Sequence, residues 1–381
     1  MRSFVFHPGP RLLAGPNRAP ELVERLPPGP ILFVTDRDIL GLGLAASLIA
    51  TLRSAGREPV IFSSVEADPS RTTLLAAVEA GRSAGAVGVI GFGGGSPMDV
   101  AKLAAYLLGS GDDLDDIWGV GLATGARLPL ALVPTTAGTG SEATPVAVIT
   151  VAGAEKRGVN SPALIADWAM LDATLTVGMP RTLTAATGID AMVHAIEATT
   201  SAHAKNPLSD LHAREALRLL DANLIAACEH PDNLEARAAM LLGAHYAGIA
   251  FANAPVAAVH ALAYPLGGIH HLPHGLSNAL MLGPVMRFNA EAARDDYASL
   301  AKWLVPECSD LGSQAKAVVL IERMERLIVQ SGIAPRLRDH GIGADEAPML
   351  AREAMKQQRL LVNNPVPVGE DDARRLYEAA W

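Results

Sequence analysis

The sequence predicts an α/β nucleotide-binding domain with a parallel, Rossmann-like sheet over residues 1–177, followed by an all-helical domain over residues 178–381. In the first part, short β-type runs alternate with stretches of helical spacing, which is typical of a parallel sheet with helical crossovers. After Pro180 the strand-like runs nearly vanish, and long Ala- and Leu-rich segments with apolar spacings of three and four follow. A chain of 381 residues is also too long for one ordinary core.

Each element of this prediction corresponds to a run in the sequence. Buried-type strands are expected at 31–36, 59–64, 86–95 and 128–136, with helices at 39–55, 70–84 and 97–108. The segment 143–172 is ambiguous, and a β-hairpin is the favoured interpretation. In the second part, helices are expected at 208–226, 234–253, 289–304, 312–331, 345–360 and 370–380.

Charge and cysteine content exclude several classes of function. The chain has 31 basic and 40 acidic residues, a net charge of −9, which argues against a nucleic-acid partner. Cys228 and Cys308 lack metal-type spacing and are expected to be reduced, buried thiols of a cytoplasmic protein. The N-terminal stretch reaches Pro and Gly too early for a signal peptide, and no apolar run approaches the roughly 18 residues of a membrane span.

A glycine loop is the first motif with chemical meaning. "GFGGGSPMDVAK", Gly91–Lys102, follows a predicted strand and opens a predicted helix, where free backbone amides and the positive helix end can bind phosphate. It departs from the dinucleotide fingerprint because Ser96 stands where the third glycine is expected. Ser96 and Asp99 instead suggest an N-cap and a first-turn acid. The alternative is a plain tight turn between strand and helix.

A second loop, "PTTAGTGSEAT" at 134–144, is rich in Thr, Ser and Gly and directly follows another buried-type strand. Hydroxyl groups at the carboxyl end of a parallel strand lie where α/β sheets bind ligands. A Thr-rich loop without a ligand is the alternative. Two such loops in one sheet favour a nucleotide site.

Histidines and one aspartate indicate a metal site. In "ATGIDAMVHAIEATTS", Asp190 and His194 lie one helical turn apart, and Glu197 continues the same stripe. A surface ion pair is the usual alternative, but the surrounding residues are apolar. His260 and His274 lie in a second, histidine-rich stretch, where hydrogen-bonded core histidines are the alternative. Together the four would supply one oxygen and three imidazole nitrogens, which suits Fe²⁺ or Zn²⁺ and leaves room for a substrate oxygen.

The order of these motifs resembles the iron-containing, or group III, alcohol dehydrogenases, the family of lactaldehyde–propanediol oxidoreductase. It comprises Gly-Gly-Gly-Ser-x-x-Asp at 93–99, Thr-Thr-x-x-Thr-Gly-Ser-Glu at 135–142, Asp-x3-His at 190–194 and His-x13-His at 260–274. The resemblance extends over nearly the whole chain, to "NNPVPV" at 363–368. It implies a dehydroquinate synthase-like fold, with a cleft between a nucleotide domain and a helical domain.

The resemblance also implies roles for individual residues. Asp190, His194, His260 and His274 correspond to the family's metal ligands. Residues expected to contact the dinucleotide are Asp36 near the adenosine ribose, Gly94, Gly95 and Ser96 at the pyrophosphate, Asp99 in the same turn, Thr135, Thr136 and Thr139 near the nicotinamide, and Lys156. A carboxylate at Asp36 would accept from a ribose 2′-hydroxyl and repel a 2′-phosphate, so NAD is favoured over NADP.

Departures from the family pattern concern the surroundings of the metal. Tyr264 stands where some members have a further histidine, and Asp68 stands where Asn is expected. His270 and His271 are not ligand positions, and together with Tyr264 they are candidates for lining the site or carrying a proton.

The metal would activate the alcohol oxygen while hydride passes to the nicotinamide.

The expected activity is therefore the NAD-linked interconversion of alcohols with aldehydes or ketones by an enzyme that is at least a homodimer. Alternatives on the same scaffold are maleylacetate reduction, glycerol oxidation and hydroxyacid–oxoacid transhydrogenation. A more distant alternative is a non-enzymatic dinucleotide sensor with a structural metal.

Overall fold

The computed structural model describes residues 3–152 and 155–381. The chain divides into two compact units, Pro8–Val177 and Gly178–Trp381, the second of which includes the N-terminal segment up to His7. Reciprocal hydrogen bonds bind that segment to the helical unit. The His7 amide donates to Asn253 Oδ1 (2.7 Å), and Asn253 Nδ2 donates to the His7 carbonyl (2.9 Å).

The α/β unit is built on a parallel sheet with the strand order β1-β9-β6-β4-β2-β3. A smaller sheet contains the antiparallel pair β7 and β8, with β5 parallel to β8. The strands are β1 (Arg11–Ala14), β2 (Ile31–Val34), β3 (Pro59–Phe62), β4 (Gly88–Gly93), β5 (Gly119–Val120), β6 (Leu130–Pro134), β7 (Val146–Ala152), β8 (Glu155–Asn160) and β9 (Trp168–Leu171). The predicted parallel sheet and the predicted hairpin are both confirmed.

Burial explains which strands were predictable. Every residue of β2, β4 and β6 is buried, as expected for central strands with both faces covered, and their continuous apolar runs are visible in the sequence. In contrast, β1 is mostly exposed, and sequence reasoning missed it and did not separate β9 from the ambiguous segment.

The helices of the α/β unit are α1 (Arg37–Gly41), α2 (Ala46–Ser54), α3 (Arg71–Ser83) and α4 (Gly95–Ser110). The prediction of one continuous helix over 39–55 is wrong. The chain breaks between α1 and α2, where Gly43 has a φ of +72°, a conformation that favours glycine.

The second unit is helical, as predicted. Its helices are α5 (Arg181–Thr200), α6 (Pro207–Glu229), α7 (Leu234–Asn253), α8 (Ala258–His270), α9 (His274–Asn289), α10 (Arg294–Leu304), α11 (Ser313–Ser331), α12 (Ala347–Ala354), α13 (Gln358–Leu361) and α14 (Glu370–Ala380). The predicted helix at 345–360 is divided into α12 and α13. Prolines and glycines hid α8 and α9 in the sequence, although α8 continues through Pro265.

Helix α5 is central to this unit. It is buried on all sides from Gly188 onward and packs against α6, α7 and α9. A helix that is buried on all sides belongs to a core. The polar side chains that α5 carries are therefore placed inside the unit, where each needs a partner.

Two further expectations concern cysteines and membranes. Cys228 and Cys308 are free and buried, as predicted. Across the described ranges, no single helix is long and apolar enough to cross a bilayer. Only α7 and α8 taken together meet that criterion, and they are bent by 108° at their break.

Candidate dinucleotide loops and metal centre

The strand order places a ligand-binding position between β2 and β4. The chain passes from β2 to β3 on one side and then returns to β4 on the other side of β2. Ligands of such sheets bind outside the carboxyl ends of the strands where the order reverses. The residues that follow β2 and β4 are Asp36 and the glycine loop.

The Asp36 carboxylate lies beside the glycine loop. Its Oδ1 accepts a hydrogen bond from the Ile39 amide (2.8 Å) and thereby caps α1. Its Oδ2 is 3.5 Å from the position that a Cβ atom on Gly93 would occupy. One oxygen of Asp36 is therefore used within the chain, and the other faces the loop predicted to bind the dinucleotide.

The glycine loop turns directly into α4. Gly93 has a φ of +148°, Gly94 is the N-cap, and Gly95 is the first helical residue. The prediction that Ser96 is the N-cap and Asp99 a first-turn acid is wrong, because the turn at Gly93 lets the helix begin earlier than expected. Ser96 lies in the first turn, where helix amides can bind an anion.

The threonine-rich loop lies against the glycine loop, as the parallel pairing of β4 and β6 requires. The Thr135 amide donates to the Gly93 carbonyl (2.9 Å). A Cβ atom on Gly94 would lie 3.6 Å from Thr136 Oγ1, and one on Gly95 would lie 2.9 Å from Thr139 Cγ2. The structure thus brings the two predicted loops together, and at Gly95 the approach to Thr139 is too close for a Cβ atom.

Asp99 points into the protein. Its Oδ1 accepts from Ser141 Oγ (2.6 Å) and its Oδ2 from the Val148 amide (2.9 Å). Burial raises the pKa of Asp99 above its ordinary value, and the nearby Lys102 ammonium opposes this only in part. The carboxylate therefore fastens the segment after the threonine loop to α4. A contact between Asp99 and the cofactor stays a prediction.

Lys102, which sequence reasoning missed, completes this network. It is 0% exposed and donates to Ser141 Oγ (2.8 Å), Thr144 Oγ1 (3.0 Å) and the Val146 carbonyl (2.8 Å). Burial lowers the pKa of Lys102 to about 8, although the Asp99 carboxylate acts in the other direction. The signal in the sequence was a single lysine between the apolar residues 100–101 and 103–105 of α4.

Lys156 is paired with Asp68. The Lys156 ammonium lies 2.5 Å from Asp68 Oδ1, and both side chains are partly exposed. Asp68 is also one of the described non-glycine residues with positive φ (54°). The departure from Asn at this position thus supplies a carboxylate partner for the lysine that the resemblance assigns to the cofactor.

In the helical unit, side chains from α5, α8 and α9 converge. Among the described residues, Asp190, His260 and His274 offer potential metal-ligand atoms that all lie within 4.8 Å of one another. Asp190 Oδ1 is 3.6 Å from His274 Nε2 and 4.0 Å from His260 Nε2. Asp190 and His260 are buried, whereas the His274 side chain is 39% exposed, which leaves one side of the group accessible.

Gly275 permits this convergence. A Cβ atom at this position would lie 2.3 Å from the Ala186 carbonyl oxygen and 3.3 Å from Asp190 Cβ. Only glycine therefore allows the start of α9 to approach α5 this closely. The contact places His274 next to Asp190.

His194 lies beside the group without belonging to it. Its ring stacks on the His260 ring, with centroids 4.8 Å apart, and on the Phe251 ring at 4.4 Å. Burial of Asp190 disfavours its charged form, but the neighbouring imidazoles, His194 foremost, outweigh burial and lower the pKa of Asp190. Asp190 is therefore a carboxylate surrounded by histidines.

Asn278 and Glu197 complete the cluster. Glu197 was noted in the sequence only as part of the α5 stripe, and Asn278 was missed. The buried Asn278 Nδ2 lies 2.6 Å from Asp190 Oδ1 and 3.2 Å from Nε2 of both His260 and His274. His260 Nδ1 lies 2.6 Å from Glu197 Oε2. The sequence did contain a signal for Asn278, because it lies one helical turn after His274.

The potential ligand atoms of this cluster suit a divalent first-row metal. Potential ligand atoms of Asp190, His260 and His274 are directed at one small region around the Asn278 amide. A carboxylate oxygen with imidazole nitrogens, and no thiolate in the group, suits Fe²⁺ or Zn²⁺.

The remaining candidates lie around this centre in different ways. The Tyr264 ring is 6.1 Å from the His274 ring, and its hydroxyl is 3.5 Å from Arg359 Nη2. His270 Nε2 lies 3.0 Å from Glu346 Oε2. His271 ends α8 in the left-handed conformation (φ 55°). Tyr264 thus borders the metal group, whereas His271 has a structural role as a helix cap.

The chain is similar to known proteins over nearly its whole length. Residues 10–173 match the iron-containing alcohol dehydrogenase family, and residues 184–381 match the C-terminal part of the Fe-containing alcohol dehydrogenase family. The chain is 39% identical over 362 residues to long-chain-alcohol dehydrogenase 1 of Geobacillus thermodenitrificans (strain NG80-2), which covers 94% of this chain and 91% of that relative.

Solved structures of similar proteins have the same fold. The crystal structure of a 1,3-propanediol oxidoreductase superposes with a TM-score of 0.96 at 33% identity and covers all of both chains. Sulfoacetaldehyde reductase from Bifidobacterium kashiwanohense, in complex with NAD⁺, superposes with a TM-score of 0.88 at 28% identity, covering 100% of this chain and 99% of that one. The family is one of enzymes, which sets aside the non-enzymatic alternative. The chain therefore belongs to the iron-containing alcohol dehydrogenase family and is an NAD-linked, metal-dependent oxidoreductase that interconverts alcohols with aldehydes or ketones.

Proposed function

We propose that Asp190, His194, His260 and His274 hold one divalent metal ion, Fe²⁺ or Zn²⁺, at which the substrate oxygen binds. The observation that carries this proposal is the convergence of Asp190 Oδ1, His260 Nε2 and His274 Nε2. A metal bound there lowers the pKa of an alcohol hydroxyl and polarises a carbonyl. His194 is the fourth ligand in this proposal, and its stacking beside His260 supports that role.

The chain's own residues prepare this chemistry. Asp190 supplies the negative charge that favours a cation, and the buried surroundings strengthen that attraction. The partial exposure of His274 supports entry of substrate on that side. Tyr264 lies there as well and can donate a hydrogen bond to the substrate oxygen or to a water.

We further propose that the dinucleotide binds at the carboxyl ends of β2, β4 and β6. Gly94, Gly95 and Ser96 would contact the pyrophosphate through backbone amides at the start of α4. Thr135, Thr136 and Thr139 would lie beside the nicotinamide, and Lys156 would contact the cofactor. Asp36 would accept from the 2′-hydroxyl of the adenosine ribose, so NAD is preferred over NADP.

The substrate proposed is a primary alcohol and its aldehyde. Two of the similar proteins are named for long-chain alcohols and 1,3-propanediol, and a third is named for an aldehyde, sulfoacetaldehyde. We also propose a homodimer or larger homo-oligomer in the cytoplasm, the compartment in which the buried, free Cys228 and Cys308 would stay reduced.

Metal removal and reconstitution test the proposal. The protein is stripped with a chelator until elemental analysis finds neither iron nor zinc, and NADH formation is measured with a panel of primary alcohols. Activity should be lost and should return on addition of Fe²⁺ or Zn²⁺. His274→Ala should lose metal and activity together while its circular dichroism is unchanged. A stripped protein that oxidises alcohols at the full rate would refute the proposal.

A further inference from the structure

Glu197 is a buried carboxylate that contacts the proposed metal ligand His260 through the ring nitrogen that does not face Asp190. It is 3% exposed and lies on α5, seven residues after Asp190. Its Oε2 is 2.6 Å from His260 Nδ1, and its Oε1 accepts from the Val259 amide at 2.7 Å. Each carboxylate oxygen therefore binds a different group of α8.

The contact with His260 sets which ring nitrogen carries hydrogen. A carboxylate without a proton only accepts hydrogen bonds, so Nδ1 of His260 is the donor when Glu197 is in that form. In the neutral imidazole, Nε2 then has the free lone pair. That Nε2 is the atom directed toward Asp190 Oδ1, 4.0 Å away, and toward the Asn278 amide.

The contact with Val259 sets where the ring lies. Val259 is in the first turn of α8, where amides have no partner within the helix, and the N-cap residue Ala257 has no side chain able to cap it. Glu197 supplies that cap from α5, the helix that also carries Asp190. One side chain thus fixes the start of α8 and the orientation of the ligand that this turn presents.

We infer that Glu197 is a positioning residue of the metal site, which holds His260 as the Nδ1–H tautomer with Nε2 directed at the metal. The inference rests on the proposed function, because it assumes that His260 is a ligand. Carboxylates that accept from the outer nitrogen of a ligating histidine raise its basicity and typically change metal affinity about 10- to 100-fold. We expect Glu197 to act in this way without contacting metal or substrate.

Glu197→Gln tests the inference because its amide has only one oxygen. Either the Val259 amide or His260 Nδ1–H then faces an NH₂ group, and in the second case the ring favours the tautomer that protonates Nε2. The matched control is Thr199→Val, on the same helix. Thr199 is buried, and its hydroxyl donates only to the Ala195 carbonyl of its own helix (2.9 Å).

The first readout is Zn²⁺ affinity of the full chain, measured by competition with a chromophoric chelator. Glu197→Gln should bind Zn²⁺ about 10- to 100-fold more weakly than wild type, whereas Thr199→Val should bind as wild type does. Glu197→Asp keeps both oxygens on a shorter side chain and should give an intermediate loss. It also serves if Glu197→Gln does not fold.

The second readout is the tautomer itself. In protein labelled with ¹⁵N-histidine and loaded with Zn²⁺, the His260 signal is assigned by its absence from His260→Asn. Wild type and Thr199→Val should show a protonated Nδ1 hydrogen-bonded to a carboxylate. A protonated Nε2 in wild type, or wild-type Zn²⁺ affinity and tautomer in Glu197→Gln, would overturn the inference and leave the metal proposal standing. If instead Asp190→Ala binds Zn²⁺ as tightly as wild type, the metal site itself is wrong and the inference falls with it.

Discussion

Each unit of this protein carries an aspartate on a helix, half-buried Asp99 in one and buried Asp190 in the other, and the two carboxylates have different surroundings. In the α/β unit, Asp99 accepts hydrogen bonds from Ser141 and Val148, and Lys102 lies nearby. In the helical unit, Asp190 faces the imidazoles of His260 and His274. Burial acts on both, yet the pKa of Asp99 is raised and that of Asp190 is lowered.

The difference shows that burial of a charge does not by itself identify a functional site. The partners of Asp99 are donors supplied by the chain, so that network is complete and its function is to fasten loops. Asp190 also accepts from Asn278, but the imidazole nitrogens that face it can offer lone pairs, and in the proposed site a cation would bind among them. The direction in which neighbouring groups donate distinguishes a structural cluster from a binding site.

The largest effect is expected where the helical network depends on close backbone contact. Gly275→Ala would put a Cβ atom 2.3 Å from the Ala186 carbonyl oxygen and force α9 away from α5. Metal sites tolerate deviations of only about 0.2 Å in ligand distance, so metal affinity should fall by about 1,000-fold, or ~4 kcal/mol. Chelator competition measures this. The control is Gly268→Ala, in α8, where a Cβ atom meets nothing within 4 Å; an equal loss in the control would refute the explanation.

Removal of the buried lysine tests the other network. Lys102→Met deletes the donor to Ser141, Thr144 and the Val146 carbonyl and leaves Asp99 without its cation. We expect about 3 kcal/mol of destabilisation of the α/β unit, visible as a lower melting temperature in calorimetry. Metal content should not change. Loss of metal with an unchanged melting temperature would reverse the roles assigned to the two networks.

The pH dependence of stability is a further test of the burial of Lys102. The pKa of Lys102 is lowered from 10.5 to about 8 by burial, so the folded protein releases this proton before the unfolded chain does. Between these values the unfolded chain binds more protons, and the free energy of unfolding therefore rises with pH. Relative to Lys102→Met, wild type should gain about 2 kcal/mol between pH 8 and about pH 10, measured by urea denaturation. A constant difference would contradict the burial of a titrating lysine.

Asp36 provides a smaller and more specific test in the α/β unit. Asp36→Ser removes the charge but keeps an N-cap oxygen for α1, since serine caps helices well. The ratio of kcat/KM for NADP to that for NAD should rise about tenfold, or ~1.4 kcal/mol, with no change in melting temperature. The control is Asp38→Ser in the first turn of α1, which should leave that ratio unchanged. An unchanged ratio in Asp36→Ser would refute the role of Asp36 in cofactor choice.

The smallest effect is expected at His271, which attracts attention in the sequence but caps α8. Asparagine tolerates the left-handed conformation, so His271→Asn should change stability by less than about 0.5 kcal/mol. The metal content and the pH profile of kcat should match wild type. A shifted pH profile would instead make His271 a proton carrier.

The sequence allowed prediction of what periodicity and spacing encode. The buried runs of β2, β4 and β6 and most helices with clear apolar spacing were predicted, although the helix expected at 289–304 begins at Arg294. The break at Gly43, the short β1 and the start of α4 at Gly95 depend on local backbone geometry that periodicity does not report. The four proposed metal ligands followed from the Asp–His spacing and the histidine-rich stretch, and the resemblance assigned them the same role; three of them converge in the structure. Lys102 and Asn278 were missed because their roles come from contacts across long sequence separations.

The most direct test of the proposed metal site is an anomalous-diffraction experiment on crystals of the chain grown with NAD and with Fe²⁺ or Zn²⁺. The proposed site requires one strong peak at about 2.0–2.2 Å from Asp190 Oδ1, His260 Nε2 and His274 Nε2, with His194 as the fourth ligand. A metal-loaded, active protein whose anomalous peak lies away from these side chains would contradict it.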